Sequence, residues 1–205
     1  MSVIDLERAL KGQRSPEIMR IRTQMGPWGI TTSPDGRWVV AANRESPQGA
    51  CEGNTISIID VDLARVGAAN AEVARVRVGT DDPNGQTRPF IPSFTPNRRE
   101  IIVPNFRSDN VSIVDLKRAV NGDRNPEIAR IPLTRPDGRE ARPKGSAVTS
   151  DGHYAVISGG ARVTAVPFTP SGTVWIIDLR KREVVATVTG VGNDPYGLAL
   201  AEASH

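Results

Sequence analysis

Short apolar runs separated by polar turns recur along the whole chain. The block 112–131 opens on such a run, and residues 2–21 repeat it with 12 identities in 20 positions. Two more runs, TISIIDVD and TVWIIDLR, end on an aspartate in the same way. The closing aspartates of the four runs lie 55, 55 and 63 residues apart; they are Asp5, Asp60, Asp115 and Asp178. A period of this length predicts a repeat architecture.

Each complete unit contains four short apolar runs. In the first unit the stretch GITTSPDGRWVVAAN places two runs around the turn SPDG, where Pro34 restricts the backbone and Gly36 accepts a left-handed conformation. A long polar loop, a third run ending at Asp60, a polar connection and a fourth run follow. Four short antiparallel strands per repeat are typical of a β-propeller blade. The pattern therefore predicts an all-β fold of four-stranded antiparallel blades.

The repeats divide the 205 residues into the parts of a single β-propeller repeat domain. These parts are the back half of a blade (2–25), three blades (26–83, 84–140 and 141–193) and the first strand of a further blade (194–205). They amount to about four blades, so the sequence predicts an incomplete propeller. We expect a fragment of a larger ring. The alternative is an open arc that pairs edge to edge with a second copy.

Two sets of repeated residues have structural interpretations. The aspartate that closes each third strand is expected to cap the following turn through its carboxylate, which we favour over a metal-binding or catalytic role. Small residues near the unit starts suit first strands that pack closely around a central axis; they are Gly29, Gly145 and Gly197. The second unit departs from the pattern, with Asn97 and Arg98 in its turn and Ile91-Pro92 where glycine is expected.

Composition narrows the classes of function. The net charge of +3 comes without a basic run, which predicts no nucleic-acid partner. No window of about 18 apolar residues is present, so no membrane span is expected. The first residues, MSVIDLERALKG, lack the apolar core of a signal peptide. Cys51, His153 and His205 form no metal-binding or haem-attachment pattern, so neither a metal nor a cofactor is predicted.

The repeated segments carry a family resemblance. PWGITTSPDGRWVVAANRES and NTISIIDVD resemble the YVTN-type β-propeller repeat, and so do PKGSAVTSDGHYAVISGG, GTVWIIDLR and the final DPYGLAL. The resemblance extends over nearly the whole chain and points to YncE-like and lactonase-like seven-bladed propellers. It implies proteins that are often exported, so a periplasmic or extracellular location is expected. It does not imply one activity, because a fold alone does not determine function.

The loop face is the candidate functional surface. Loops that join blades, and loops between second and third strands, are expected on one face of the scaffold, where binding residues concentrate. These loops carry eight basic and eight acidic residues, so their overall charge is balanced. Arginines after the second strands and aromatic residues after the unit-opening prolines occupy equivalent places, although we expect the aromatic residues to pack between blades. The candidate ligand-binding residues are Arg44, Arg107, Arg88, Lys144, Trp28, Phe90 and Tyr196.

The sequence shows no convergent acid–base or metal set and therefore predicts no catalytic residues. The first hypothesis is a non-catalytic scaffold that binds an unidentified protein or small ligand through the loop face. The resemblance leaves two alternatives, a lactonase-like hydrolase and an oxidoreductase-associated subunit similar to a quinoprotein amine dehydrogenase β-chain. A third alternative is a truncated remnant without independent activity. Open blade edges also predict a homo-oligomer.

Overall fold

Antiparallel sheets form the scaffold of the chain. The computed structural model describes residues 1–24, 26–45, 52–160 and 171–201, with Glu52 described by its backbone alone. Within these ranges the strands form three four-stranded sheets and one two-stranded sheet. The all-β prediction is confirmed, and the described part of the chain contains three complete blades and half of another.

The elements follow one another in the same order in each blade. The half-blade contains β1 (Ser2–Ile4), α1 (Leu6–Leu10) and β2 (Glu17–Arg20). Blade 1 contains β3 (Pro27–Thr32), β4 (Trp38–Glu45), β5 (Glu52–Asp60), α2 (Val61–Arg65) and β6 (Glu72–Arg77). Blade 2 contains β7 (Ser93–Phe94), β8 (Glu100–Asn105), β9 (Asn110–Asp115), α3 (Leu116–Val120) and β10 (Glu127–Pro132). Blade 3 contains β11 (Pro143–Val148), β12 (Tyr154–Gly159), β13 (Thr173–Asp178) and β14 (Glu183–Thr189), and each blade pairs its strands in chain order.

The aspartate at the end of each third strand caps the turn that follows it. Asp5 and Asp115 accept a hydrogen bond from the backbone N–H three residues later, at 3.0 and 2.8 Å. Asp60 and Asp178 each accept from two backbone N–H groups, those two and three residues later. For Asp5, Asp60 and Asp115 these are N–H groups that the first turn of the following helix leaves without a partner, whereas Asp178 caps a turn that is not helical. The predicted capping role is confirmed.

Left-handed residues close the turn between the first two strands of each blade. Gly36 has φ +73° and donates its N–H to Ser33 O at 2.8 Å, as the SPDG pattern predicts. The equivalent residue of blade 2 is Arg98, which adopts φ +60° without the conformational freedom of glycine. Its guanidinium donates to the Asp35 carboxylate in the turn of blade 1 at 2.9 Å. Arg98 therefore joins the turns of neighbouring blades.

Apolar side chains from neighbouring blades meet between the sheets. Val40 and Ile58 of blade 1 share a buried cluster with Ile101 and Val114 of blade 2. Blades 2 and 3 share a second cluster, and the half-blade shares a third with blade 1. Residues 111–114 of β9 have no exposed surface. The third strand of blade 2 is thus buried on both faces, which explains why its apolar residues do not alternate with polar ones.

The first strands of neighbouring units approach each other at the inner edges of the blades. A Cβ atom on Gly29 would lie 2.3 Å from Phe90 O, and one on Gly145 would lie 2.1 Å from Tyr196 O. These backbone contacts leave no room for a side chain, so the close packing predicted for both glycines is confirmed. Gly197 differs, because no described atom lies within 4 Å of its Cβ position. The approach also brings together the residues that follow the unit-opening prolines.

Two first strands depart from the predicted pattern. In blade 2, Pro92 has no N–H to donate, and β7 is reduced to two residues. The N–H of Ile91 instead donates to Lys144 O of blade 3 at 3.0 Å. The sequence predicts the first strand of a further blade over 194–205, and the described residues of that segment, 194–201, form no strand. A strand needs a neighbour for its backbone groups, and the described residues contain no second strand of that blade.

Candidate functional site at the loop face

The residues that follow the unit-opening prolines meet around one buried ring. Phe90 is buried, and its ring centroid lies 6.0 Å from that of Trp28 and 5.9 Å from that of Tyr196. Phe106, which follows β8, adds a ring 5.4 Å from Phe90. Trp28 and Tyr196 are 53% and 42% exposed, so the aromatic group has a buried centre and an open rim. Tilted ring contacts at these distances are favourable.

Cationic side chains lie over these rings. The guanidinium carbon of Arg44 is 4.6 Å from the ring centroid of Trp28, and that of Arg88 is 4.9 Å from Phe106. The charged groups of two further residues, Arg142 and Lys144, each lie 5.5 Å from Phe106. Cations within about 6 Å of a ring face are attracted by its quadrupole. We refer to these residues as the cation–aromatic cluster: Trp28, Arg44, Arg88, Phe90, Phe106, Arg142, Lys144 and Tyr196.

Lys144 is the most deeply buried cation of the cluster. Its side chain is 2% exposed, and Nζ donates to Gly160 O at 2.7 Å and pairs with the Asp194 carboxylate. Burial lowers the pKa of Lys144, whereas the hydrogen bond with Asp194 acts in the opposite direction. Lys144 follows a unit-opening proline, as Trp28 and Phe90 do in their units. Blade 3 therefore contributes a cation where the other units contribute a ring.

The residues before the unit-opening prolines have left-handed backbones. The φ angle is +49° at Arg88, +45° at Arg142, +55° at Asp194 and +58° at Gly26. This region is uncommon for residues with a Cβ, and a following proline restricts the backbone further. Strain of this kind clusters at ligand-binding and active sites. Here the strained residues with side chains either belong to the cluster or, in the case of Asp194, pair with one of its cations.

Six of the seven candidate residues predicted from the sequence belong to the cluster. The exception is Arg107, which is exposed and donates its backbone N–H to Thr87 O at 2.8 Å. Phe106, one residue earlier, follows Asn105 as Arg44 follows Asn43 and therefore holds the position equivalent to Arg44. The sequence prediction omits Phe106 and Arg142. The equivalence with Arg44 is the signal by which Phe106 could have been found.

Among the described residues, those of metal-ligating types form no metal centre. His153 is exposed, and its Nδ1 lies 2.9 Å from Asp151 Oδ2. Within the described ranges, no three histidine, cysteine or acidic residues are grouped in a way that could hold a metal ion. Cys51 and His205 lie outside the described residues. No described helix is long and apolar enough to span a bilayer. The absence of a cofactor stays a prediction of the sequence.

Comparison with solved structures identifies the scaffold as a β-propeller. Hydrazine synthase of Kuenenia stuttgartiensis matches 87% of this chain and 40% of its own, with a TM-score of 0.58 and 22% identity. The β-propeller domain of Myceliophteria thermophila Cps50 (Swd1) matches 88% of this chain and 47% of its own, with a TM-score of 0.59 and 16% identity. The chain thus spans less than half of each neighbour. At these identities the likeness concerns the fold alone.

Sequence comparisons add no family assignment. No protein-family model matches the chain, and no curated protein matches its sequence. Structural matches extend to 511 chains, so the scaffold is too widespread for its shape to indicate an activity. The YVTN-type repeat and the periplasmic or extracellular location remain expectations from the resemblance.

Proposed function

We propose that the chain is a non-catalytic propeller scaffold that binds a protein or small ligand through its loop face, centred on the cation–aromatic cluster. The observation that supports this proposal is the convergence on Phe90 and Phe106 of residues from three blades and from the segment after β14. Arginine and aromatic side chains are enriched at binding surfaces, because each presents a large contact area with a specific polar or charged group.

The charge of the cluster favours anionic ligands. The cluster contains four cations, and two carboxylates are paired with them, Glu140 with Arg142 and Asp194 with Lys144. A third carboxylate, that of Asp109, accepts a hydrogen bond from the Arg142 backbone N–H at 2.8 Å, so four cations stand against three described carboxylates at this point. The charge of the loops is therefore balanced overall but positive at the cation–aromatic cluster. An anion placed there is attracted by cations that are already held in position.

The alternatives from the sequence remain predictions. A lactonase-like hydrolase and an oxidoreductase-associated subunit rest on the family resemblance, and the truncated remnant rests on the blade count. Homo-oligomerisation has one supporting feature. An apolar cavity of about 580 Å³ lies between the half-blade and blade 1, and Ile4 and Ile30, which line it, are 50% and 57% exposed. A second copy that covered this surface would bury apolar area.

Thermal-shift measurements on the purified chain test the proposed function. We expect at least one of four anionic probes (phosphate, citrate, benzoate or poly-glutamate) to raise Tm by about 2 °C or more at saturation, because ligands that bind only the folded state stabilise it. The shift should be lost in Arg44→Gln and kept in the matched control Arg37→Gln. Arg37 also lies over a tryptophan ring, that of Trp38 at 4.7 Å, at the other end of β4.

A turnover assay accompanies the same titrations. We expect no hydrolysis of dihydrocoumarin, an aromatic lactone, at any concentration of the chain. Hydrolysis that disappears in Arg44→Gln but persists in Arg37→Gln would show that the loop face is catalytic and would contradict the proposal. Failure of all four anions to shift Tm would contradict it as well.

A further inference from the structure

Arg44 differs from the other cations near the open rim in its lack of a described carboxylate partner. Arg142 and Lys144 are paired with acidic residues, but Arg44 forms no ion pair within the part of the chain that the structure describes. Its Nε is shielded from solvent and has no hydrogen-bond acceptor among the described residues. A guanidinium presents paired donors that match the two oxygens of a carboxylate. Arg44 is therefore the cation of the cluster with capacity for an added anion.

The open rim of the cluster offers flat apolar surface beside this cation. Trp28 is 53% exposed and Tyr196 is 42% exposed, while Phe90 between them is 2% exposed. Arg44 lies 4.6 Å from the ring centroid of Trp28 and 5.4 Å from that of Phe90, so charge and ring surface are adjacent. Exposed aromatic rings in such a setting stack with planar groups more favourably than with bulky saturated ones.

We propose that the cluster binds planar aromatic carboxylates, with Arg44 holding the carboxylate and Trp28 and Tyr196 contacting the ring. This inference rests on the proposed function and specifies its ligand class. A single negative charge suits the site better than a dianion, because Glu140, Asp194 and Asp109 already supply negative charge nearby. The cluster thus selects by two criteria, one charge and one flat ring.

Titration calorimetry with benzoate tests this ligand class, and three related probes separate its two criteria. Benzamide keeps the planar ring without the charge, cyclohexanecarboxylate keeps the charge without the planar ring, and inorganic phosphate provides a different anion. We expect benzoate to bind at least tenfold more tightly than each of the other three. Equal affinity for benzoate and benzamide, or for benzoate and cyclohexanecarboxylate, would overturn the inference.

Variants place the interaction on the named residues. Arg44→Gln and Trp28→Ala are each expected to weaken benzoate binding at least tenfold, because a charge-assisted hydrogen bond or a stacking surface is removed. Arg37→Gln is the matched control and should bind as the parent chain does. Arg44→Lys preserves the charge and serves as the test variant if Arg44→Gln does not fold. We expect it to weaken benzoate binding several-fold, because lysine lacks the paired donors of the guanidinium. Unchanged benzoate affinity in Arg44→Lys and in Trp28→Ala would contradict the assignment.

The outcome also separates this inference from the proposed function. If phosphate or poly-glutamate binds in an Arg44-dependent way and benzoate does not, the ligand class is wrong and the scaffold function stands. If none of the four anionic probes, citrate included, binds, both are wrong. If benzoate binds equally to the parent chain and to Arg44→Gln, its binding is independent of the cluster and the inference fails.

Discussion

Replacing Gly29 by alanine is expected to lower the free energy of unfolding by about 3 kcal/mol, because an added Cβ has no space at this position. The Cβ would lie 2.3 Å from Phe90 O and 2.6 Å from the Cα of Ile91, and both atoms belong to the backbone of the next blade. A flexible side chain could move aside, but backbone atoms can retreat only if the two first strands separate. Chemical denaturation measured by circular dichroism gives the change.

Gly197→Ala is the matched control for this substitution. Gly197 stands two residues after a unit-opening proline, as Gly29 does, but no described atom lies within 4 Å of its Cβ position. We expect a change within about 0.5 kcal/mol. Equal losses of unfolding free energy at the two positions would contradict this explanation. They would show that the loss comes from replacing glycine itself and not from contact between neighbouring first strands.

Replacing Glu127 by alanine is expected to cost about 3 kcal/mol, because its carboxylate connects blades 1 and 2. It accepts hydrogen bonds from the Gly79 backbone N–H at 2.8 Å, from Ser112 Oγ at 2.5 Å and from Arg130 at 2.6 Å. Arg130 also pairs with Asp81 of the preceding connection. Truncation leaves buried donors without an acceptor, which is more costly than the loss of an exposed ion pair.

Glu72→Ala provides the comparison for Glu127→Ala. Glu72 precedes Glu127 by one repeat, and its described side-chain hydrogen bonds come from Arg75 alone. We expect a loss of about 1 kcal/mol, measured by the same denaturation experiment. Glu127→Gln should lie between the two alanine variants, because the amide keeps one acceptor oxygen. A cost for Glu127→Ala no larger than that for Glu72→Ala would show that the links to Gly79 and Ser112 contribute little.

The repeated blade could be predicted from the sequence because it depends on local signals that recur. The closing aspartates such as Asp115 and the apolar third strands occupy the same place in each unit, and each has one physical role. Turn chemistry was less informative in blade 2. Arg98 stands where the turn favours glycine. The hydrogen bond from its guanidinium to Asp35, 63 residues earlier in the chain, offsets the unfavourable left-handed backbone. A sequence pattern within one unit does not reveal a partner in another.

The candidate site was partly predictable for the same reason. Equivalence between units identified Trp28, Phe90 and Tyr196, because each follows a unit-opening proline. It did not determine which neighbours lie over the rings, since that depends on how close the first strands approach. The choice of Arg107 instead of Phe106 is an offset of a single residue in the turn that follows β8, where the regular alternation of a strand no longer indicates which side chain faces the rings.

The meeting of units that are distant in sequence can be observed directly by nuclear Overhauser spectroscopy on the aromatic side chains. The structure places the ring centroids of Trp28 and Tyr196 at 6.0 and 5.9 Å from that of Phe90, although Trp28 lies in blade 1 and Tyr196 in the segment after β14. We expect cross-peaks from Phe90 ring protons to those of both Trp28 and Tyr196. Well-resolved aromatic resonances without either cross-peak would contradict a common axis for the first strands.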